Sequence, residues 1–446
     1  YTADERDGFG YRDSVQDLMG VMHNITDEAA QRLELMITGQ VSTGGAMPMV
    51  SKISHNPGHE KLPEESHYRS DDCMWLFNAI PAYVNESGDL NFYSKVLPYA
   101  DKGEDTVLIH LRKAIQFNLD RSGKHGLPCG LKADWNDCLR FGHDGETTFV
   151  AMQLRFALKT YIEICRLTGN QSEEAWAKPV LDVLDKNIQK YAWDGSWFLR
   201  GYKDDGLKFG SNDNEEGRIF TNPQAWAVIS DAATPEQKRL ALENMKKHLS
   251  TDYGIMICHP PYRKTDFQIA RGALFNGGMK ENGGIFIHTQ GWAVMAEAMC
   301  GNGNNAYTYF KNYLPSAYNS KAEIREIEPY VYCQSTHSTD SPRFGNSRVP
   351  WLTGSASWSF VAATQYILGL QPQIEGLKID PCIPSSWDGF EVIRHFRGKV
   401  LNIIVVNPNS VQKGVKIIIL NGVEIMENTI LFSEMKDVNT VEVIMG

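Results

Sequence analysis

The sequence predicts a mainly α protein, a helical-hairpin array closed into an (α/α) toroid, followed by a small antiparallel β module. Three observations predict it. Between Ser14 and about Leu370, apolar residues recur at three- and four-residue intervals, the period of helices that bury one face. Within that stretch a short pattern returns: Asn222-Pro-Gln-Ala-Trp-Ala-Val228 is echoed 66 residues later by His288-Thr-Gln-Gly-Trp-Ala-Val294, and again by Gly354-Ser-Ala-Ser-Trp358. Beyond Leu370 the texture changes to short Val- and Ile-rich runs bounded by turn dipeptides.

The helical period is carried by Glu28 to Met36, Asp72 to Tyr83, Asp105 to Leu119, Thr148 to Leu167, Glu173 to Tyr191, Pro235 to Leu249 and Ala306 to Leu314. Loops rich in Gly, Asn, Asp and Pro join them. Each copy of the repeated pattern sets a loop, a polar cap and a Trp-containing helix start in the same order. Hairpins that begin alike close into a ring whose helix-start loops share one mouth, and the site is expected there. Gly389 to Phe396, Lys399 to Val406, Gly414 to Leu420 and Val441 to Met445 read as strands. The first three are followed by turns at Arg397-Gly398, Asn407-Pro408 and Asn421-Gly422. Residues 1–370 are therefore expected to form the toroid and residues 371–446 a β-sandwich packed against it.

At 446 residues, 42% hydrophobic and 22% charged, the chain is globular, and no run approaches the roughly 18 uncharged apolar residues of a membrane-spanning helix. A net charge of −10 without a dense Lys/Arg run excludes a nucleic-acid surface and suits a neutral or small anionic ligand. Ten Trp serve the core first and also suit sugar stacking. The eight cysteines stand singly, with no CxxC and no His at metal-ligand spacing, so they read as reduced thiols of a cytoplasmic protein with no metal site. The chain opens on YTADERDGFGYRDS, inside a patterned segment, and is expected to be one piece of a longer polypeptide.

The chemistry centres on Gly126 to Gly142, GLPCGLKADWNDCLRFG. Asp134 and Asp137 bracket Trp135 and Asn136 at an expected loop-to-helix junction. Cleaving a sugar bond needs an acid that protonates the departing oxygen, often beside an indole face. Helix capping is the competing reading of the same residues. Near the start, Arg12, Asp13, Gln16 and Asp17 cluster where they could grip several hydroxyls or cap a helix. Ser42 to Ala46 and Tyr68 to Trp75 are polar loops opening onto apolar helices, with Asp72 a candidate wall residue. In Phe275 to Gln290, glycines let the backbone approach a ligand beside Lys280, Glu281 and His288, which no helical period sends to the core. Thr353 and Gly354 fall at a helix start, where free N–H groups favour an anion; N-capping is the alternative.

Taken together, GYRDSVQD, STGGAM, GLPCGLKADWNDC, GMKENGGIFIHTQGWA, EPYVYCQ and VPWLTGSASW, in this order, make the chain resemble the inverting disaccharide phosphorylases of glycoside hydrolase family 94. The resemblance implies an (α/α)6 barrel followed by a small jelly-roll-like domain. It implies Asp137 as general acid, with Trp135, Arg12, Asp17, Lys280, Glu281 and Gln334 around the non-reducing sugar. His288, Thr353 and Gly354 would cradle phosphate.

An inverting hydrolase needs a second carboxylate to activate water, whereas inorganic phosphate is its own nucleophile, so one protein acid suffices. The expected reaction is phosphorolysis of a β-linked disaccharide or short oligosaccharide to an α-sugar 1-phosphate and a released sugar. Phosphate is a co-substrate, and no cofactor or metal is called for. The resemblance further implies a homodimer and an N-terminal β-sandwich domain that this chain lacks. Phe275 and Arg271 stand where some cellobiose phosphorylases have Tyr and Glu, which points away from plain cellobiose and leaves chitobiose or sugar-acid acceptors open. The rival readings are an inverting hydrolase on the same toroid with Glu281 as base, and a non-catalytic carbohydrate-binding fragment.

Overall fold

Residues 8–351 and 354–446 are described by a computed structural model. A seven-residue helix, α1 (Tyr11–Asp17), comes first, and the next helices fall where the apolar period predicts them: α2 (Thr26–Thr38), α3 (Leu76–Ser87), α4 (Val107–Asp120), α5 (Thr148–Thr168) and α6 (Gln171–Tyr191). They continue with α7 (Thr221–Ile229), α8 (Pro235–Leu249), α9 (Gln290–Met299), α10 (Gly303–Tyr313), the short α11 (Ala322–Arg325) and α12 (Ser355–Val361). A π-helical turn, Ala362–Ile367, extends α12. Their ends follow capping chemistry. The Thr147 hydroxyl accepts from the Val150 N–H at the start of α5, and Gly169, at φ 72°, closes that helix in the left-handed region. At the start of α8, Thr234 and Gln237 form a reciprocal capping box.

α7 and α9 lacked a clear apolar period in the sequence for a physical reason. Every residue of α7, and every residue of α9 up to Ala298, is buried, so neither helix has a polar face to set a rhythm. α1 packs on α3, α3 on α5, α5 on α7, α7 on α9, α9 on α12, and α12 on α1, while α2, α6, α8 and α10 lie against α3, α5, α7 and α9.

The repeated tryptophans meet at the centre. Trp226, Trp292 and Trp358, each at the same place in its repeat, join Trp75 with ring centroids 5.5 to 6.4 Å apart, and all four are fully buried. The repeat is therefore a packing device: helices that begin alike deliver one large ring each to a shared core.

Beyond α12 the chain turns to strands. Leu370–Pro372, Gly376–Ile379 and Thr429–Leu431 make a three-stranded sheet. Gly389–Phe396, Lys399–Val406, Val438–Met445, Val415–Leu420 and Val423–Ile425 pair in that order as a five-stranded sheet. The Arg397-Gly398 and Asn421-Gly422 turns have positive φ at both residues, as tight hairpins require. The expected antiparallel pairing is corrected at one place: Lys399–Val406 pairs with Val438–Met445 in parallel. At Asn407 the chain does not fold back along Lys399–Val406, and residues 407–437, which include the strands Val415–Leu420 and Val423–Ile425, supply the long connection that a parallel pair needs.

The loop around the two acids also departs from expectation, since no helical turn follows it. The Asp134 carboxylate accepts from the Asn136 N–H at 2.8 Å, and the Asn136 side-chain oxygen accepts from the Cys138 N–H at 2.9 Å. Two successive side-chain turns take up the backbone donors a helix would have used.

Candidate functional site

A cavity of about 210 Å³ is lined by Arg12, Asp13, Trp135, Asn136, Asp137, Glu281, Phe286, His288, Gln334 and Gly354. The start of α1, the acid-bearing loop, the Gly-rich segment before α9, the strand Cys333–Thr336 and the start of α12 all converge on it. Asp17 and Lys280 are not among the lining residues. The Asp17 backbone carbonyl accepts from the Ser357 hydroxyl, and the Lys280 ammonium lies 5.0 Å from the centre of the Phe275 ring. Thr353 lies outside the described residues.

The two acids separate completely. Asp134 is sealed against Arg200, both side chains 0% exposed, with Oδ2 2.5 Å from Nη1 and Oδ1 2.7 Å from Nη2. Thr147 donates to its Oδ2 as well. Asp134 is a structural ion of the loop. Asp137 instead turns its carboxylate into the cavity, 52% exposed, with Oδ2 3.0 Å from Arg12 Nη2 and Oδ1 3.1 Å from Arg69 Nε.

Burial by itself would raise the Asp137 carboxyl, but the Arg12 and Arg69 guanidiniums outweigh it and hold the group below the ordinary carboxylate value. Arg12 is also 3.2 Å from the buried Asp71 carboxylate and donates to the Asp134 carbonyl oxygen at 2.9 Å. Burial works against its charge, yet Asp71 and Asp137 keep it firmly protonated. Across the cavity, burial pushes the Glu281 carboxyl up, and its Oε2 has no protein partner. Among the carboxylates that line the cavity, Asp137 and Glu281 thus have opposite tendencies, Asp137 toward the ionised form and Glu281 toward the neutral one.

Trp135 packs edge-on against Phe286, His288 and Trp292 at 5.2, 5.4 and 5.3 Å between centroids. His288 is 5% exposed, and its ring nitrogen Nε2 lies 2.9 Å from the Gln16 side-chain oxygen. Burial, reinforced by the Arg12 charge, pushes His288 down to about 3, so the imidazole is neutral. Gln334 brings to the cavity a buried side-chain oxygen without a partner. Such an unmet acceptor suits a ligand hydroxyl.

Sequence reasoning left Arg69 unassigned, since nothing local to Tyr68-Arg69-Ser70 shows that it reaches a carboxylate 68 positions away. Arg200 carried no signal either. The expected wall residue and the open Ser42 to Ala46 loop both lie elsewhere. Asp72 does not line the cavity; it is buried behind Asp71, one carboxylate oxygen unpartnered, and is pushed up to about 8 by burial and then by Asp71. In the Ser42 to Ala46 loop, Ser42 binds Asp101, and Gly44, at φ 98°, has no room for a side chain: a Cβ would come within 2.1 Å of the Lys113 carbonyl. That glycine run serves packing. A larger cavity of about 290 Å³ between the helices and the C-terminal sheet is lined by Met19, Phe360, Leu368 and Ile393, and its Arg394 is already paired with Glu86.

Among the described residues, no group of three or more His, Cys, Asp or Glu is gathered to hold a metal ion, and no helix is long and apolar enough to cross a membrane. All eight cysteines are free.

The fold, a helical array with small antiparallel sheets, is shared with solved proteins. A GH78 family rhamnosidase of Bacillus sp. GL1 superposes with a TM-score of 0.59 at 13% identity, over 90% of this chain and 39% of that one. A rhamnosidase from Klebsiella oxytoca gives 0.51 at 14% identity, over 81% and 57%. Residues 1–369 match the catalytic domain of the glycosyl hydrolase 94 superfamily, and the chain belongs to that family. Its relatives include an N,N'-diacetylchitobiose phosphorylase of Vibrio proteolyticus, 34% identical over 94% of this chain and 55% of the relative. A solabiose phosphorylase of Paenibacillus borealis is 30% identical over 94% and 54%. A cellobionic acid phosphorylase of Neurospora crassa is 29% identical over 89% and 51%. The chain spans about half the length of these curated relatives.

Proposed function

We propose that this chain carries the inverting phosphorolysis of a β-linked disaccharide, a glycosyltransferase activity with inorganic phosphate as co-substrate. The observation that carries the reading is one cavity that joins a single arginine-clamped acid, Asp137, to a neutral histidine, His288, and a helix start at Gly354. Asp137 protonates the bridging oxygen, the anomeric C–O bond breaks, and a phosphate oxygen forms the new bond from the opposite face. The products are an α-sugar 1-phosphate and the freed sugar. Trp135, Arg12, Glu281 and Gln334 hold the sugar, with Asp17 and Lys280 acting from behind the wall. His288, Gly354 and Thr353 receive the anion, whose charge Arg12 also meets.

The clamp on Asp137 gives the reaction an order. A bare carboxylate cannot donate a proton. An anion arriving beside Arg12 competes for that guanidinium and adds negative charge near Asp137, and both effects raise the carboxyl's pKa. The acid is therefore armed once the nucleophile is in place.

In this reading residues 1–370 form an (α/α)6 barrel, supported by the packing order α1, α3, α5, α7, α9, α12 and back to α1, and residues 371–446 form the accessory β domain. A homodimer with a further domain before the barrel is the assembly we propose, in a reducing cytoplasm that suits eight unpaired thiols. The names of these relatives make N,N'-diacetylchitobiose the first substrate to test, then cellobionic acid and cellobiose. The experiment incubates the full chain with each, with and without phosphate, and measures sugar 1-phosphate. Release that requires phosphate and is abolished by Asp137→Asn supports the reading. Turnover in phosphate-free buffer would support hydrolysis with Glu281 as base, and sugar binding without turnover would support a binding fragment.

A further inference from the structure

We propose that Gln16 and Trp358 lock His288 as the neutral Nε2–H tautomer, so that the cavity meets Nδ1 as a bare lone pair and takes its anion as hydrogen phosphate, with a P–OH donating to Nδ1. This rests on the reading of the cavity as a phosphate site.

The argument is one of donors and acceptors. The Gln16 amide has three partners: its nitrogen is 2.9 Å from the Arg12 carbonyl oxygen, and its oxygen is 2.8 Å from Trp358 Nε1 and 2.9 Å from His288 Nε2. A main-chain carbonyl only accepts and an indole N–H only donates, so the two ends of the amide cannot be exchanged. The Gln16 oxygen is then an acceptor in both of its contacts, and His288 Nε2 must carry the hydrogen. Gln16, Trp358 and His288 are all buried, which keeps water from loosening the arrangement. Nδ1 has no partner among the described residues, while His288 lines the cavity. Burial and the neighbouring Arg12 charge both disfavour a second proton on the ring.

A histidine beside an anion is ordinarily read as a cation. Here the positive charge comes from Arg12, and the imidazole turns an acceptor toward the ligand. Such a site discriminates between two anions of similar size and geometry. Hydrogen phosphate brings an O–H to meet the lone pair; sulfate at neutral pH brings only oxygen and leaves two acceptors facing each other. Gln16 acts through His288 and is a positioning residue.

The test uses the full chain with inorganic phosphate and sulfate as probes, titrated separately by calorimetry at neutral pH. Phosphate is expected to bind more tightly than sulfate by about tenfold to a hundredfold. In parallel, long-range proton–nitrogen spectra of the histidine-labelled protein, with His288 assigned from His288→Gln, are expected to show the Nε2–H tautomer. In Gln16→Glu, a carboxylate against Nε2 favours the imidazolium, Nδ1 becomes a donor, and the gap between the anions is expected to narrow. Sulfate binding as tightly as phosphate, or an Nδ1–H or doubly protonated His288 in the unsubstituted chain, overturns the proposal. Should Gln16→Glu not fold, those two measurements still decide. If neither anion binds, the phosphate reading of the cavity fails and the anion preference falls with it, whereas the spectrum reports on the lock independently.

Discussion

The Arg12 guanidinium is shared by two carboxylates, with Nη1 3.2 Å from Asp71 and Nη2 3.0 Å from Asp137. Asp71 is fully buried and also accepts from Trp75 Nε1 at 2.9 Å, whereas Asp137 faces the cavity. One end of the arginine is therefore anchored in the core while the other reaches the acid. Protonation of Asp137 is governed by whatever else competes for that outer end.

That competition is visible in pH profiles. kcat/KM for phosphate reports the free protein, in which Asp137 is held ionised, and kcat reports the loaded one. The descending limb is expected at lower pH in kcat/KM than in kcat. Arg69→Gln removes one of the two cations, and the limb in kcat/KM should move upward. A downward shift would contradict the clamp. The same depressed carboxyl favours the fold above the ordinary carboxylate range, a contribution lost as the pH falls through its folded value.

Asp72 should behave in the opposite sense. Its carboxyl is raised from an ordinary value of 3.8 to about 8, so the folded chain binds an extra proton between those values and stability falls as the pH rises through that window. Asp72→Asn removes the titrating group. The variant is expected to flatten this slope and to be more stable than the parent above pH 8 by about 1–3 kcal/mol, read from chemical denaturation.

Arg200→Met leaves the Asp134 carboxylate buried and without its guanidinium. Breaking a buried pair in this way costs about 3–5 kcal/mol, and the urea midpoint should drop accordingly. Arg200→Met combined with Asp134→Leu removes both charges and is expected to cost less than the sum of the single changes.

Trp292 touches Trp75, Trp226, Trp358, Phe149, Trp135 and His288. Trp292→Ala should cost about 3–5 kcal/mol in guanidinium unfolding, since the cavity left in a cluster of rigid rings cannot collapse. A loss under 1 kcal/mol would show that the rings pack less tightly than their spacing implies.

Much of this protein could be read before its structure. A polar face opposite an apolar one makes a helix visible, so α2, α4, α5, α6 and α8 were found close to their observed ends. The 66-residue return of Trp226, Trp292 and Trp358 announced equivalent helix starts, and the hairpin at Arg397-Gly398 followed from turn chemistry. These signals are local, or repeat at a fixed spacing. By itself, the sequence thus determined seven of the helices, four strands of the five-stranded sheet and the segments that supply Arg12, Trp135, Asp137, Glu281, His288 and Gln334 to one cavity.

The resemblance singled out Asp137 from two acids three residues apart, but only the tertiary structure shows why it is the one left facing the cavity. Asp134 and Asp137 are the same residue type in the same loop, but Arg200 lies against the first and Arg12 and Arg69 lie against the second. All three arginines are distant in sequence, and a carboxylate's charge state is set by what surrounds it in space. For the same reason the parallel strand pair and the tautomer of His288 appear only when segments far apart along the chain come into contact.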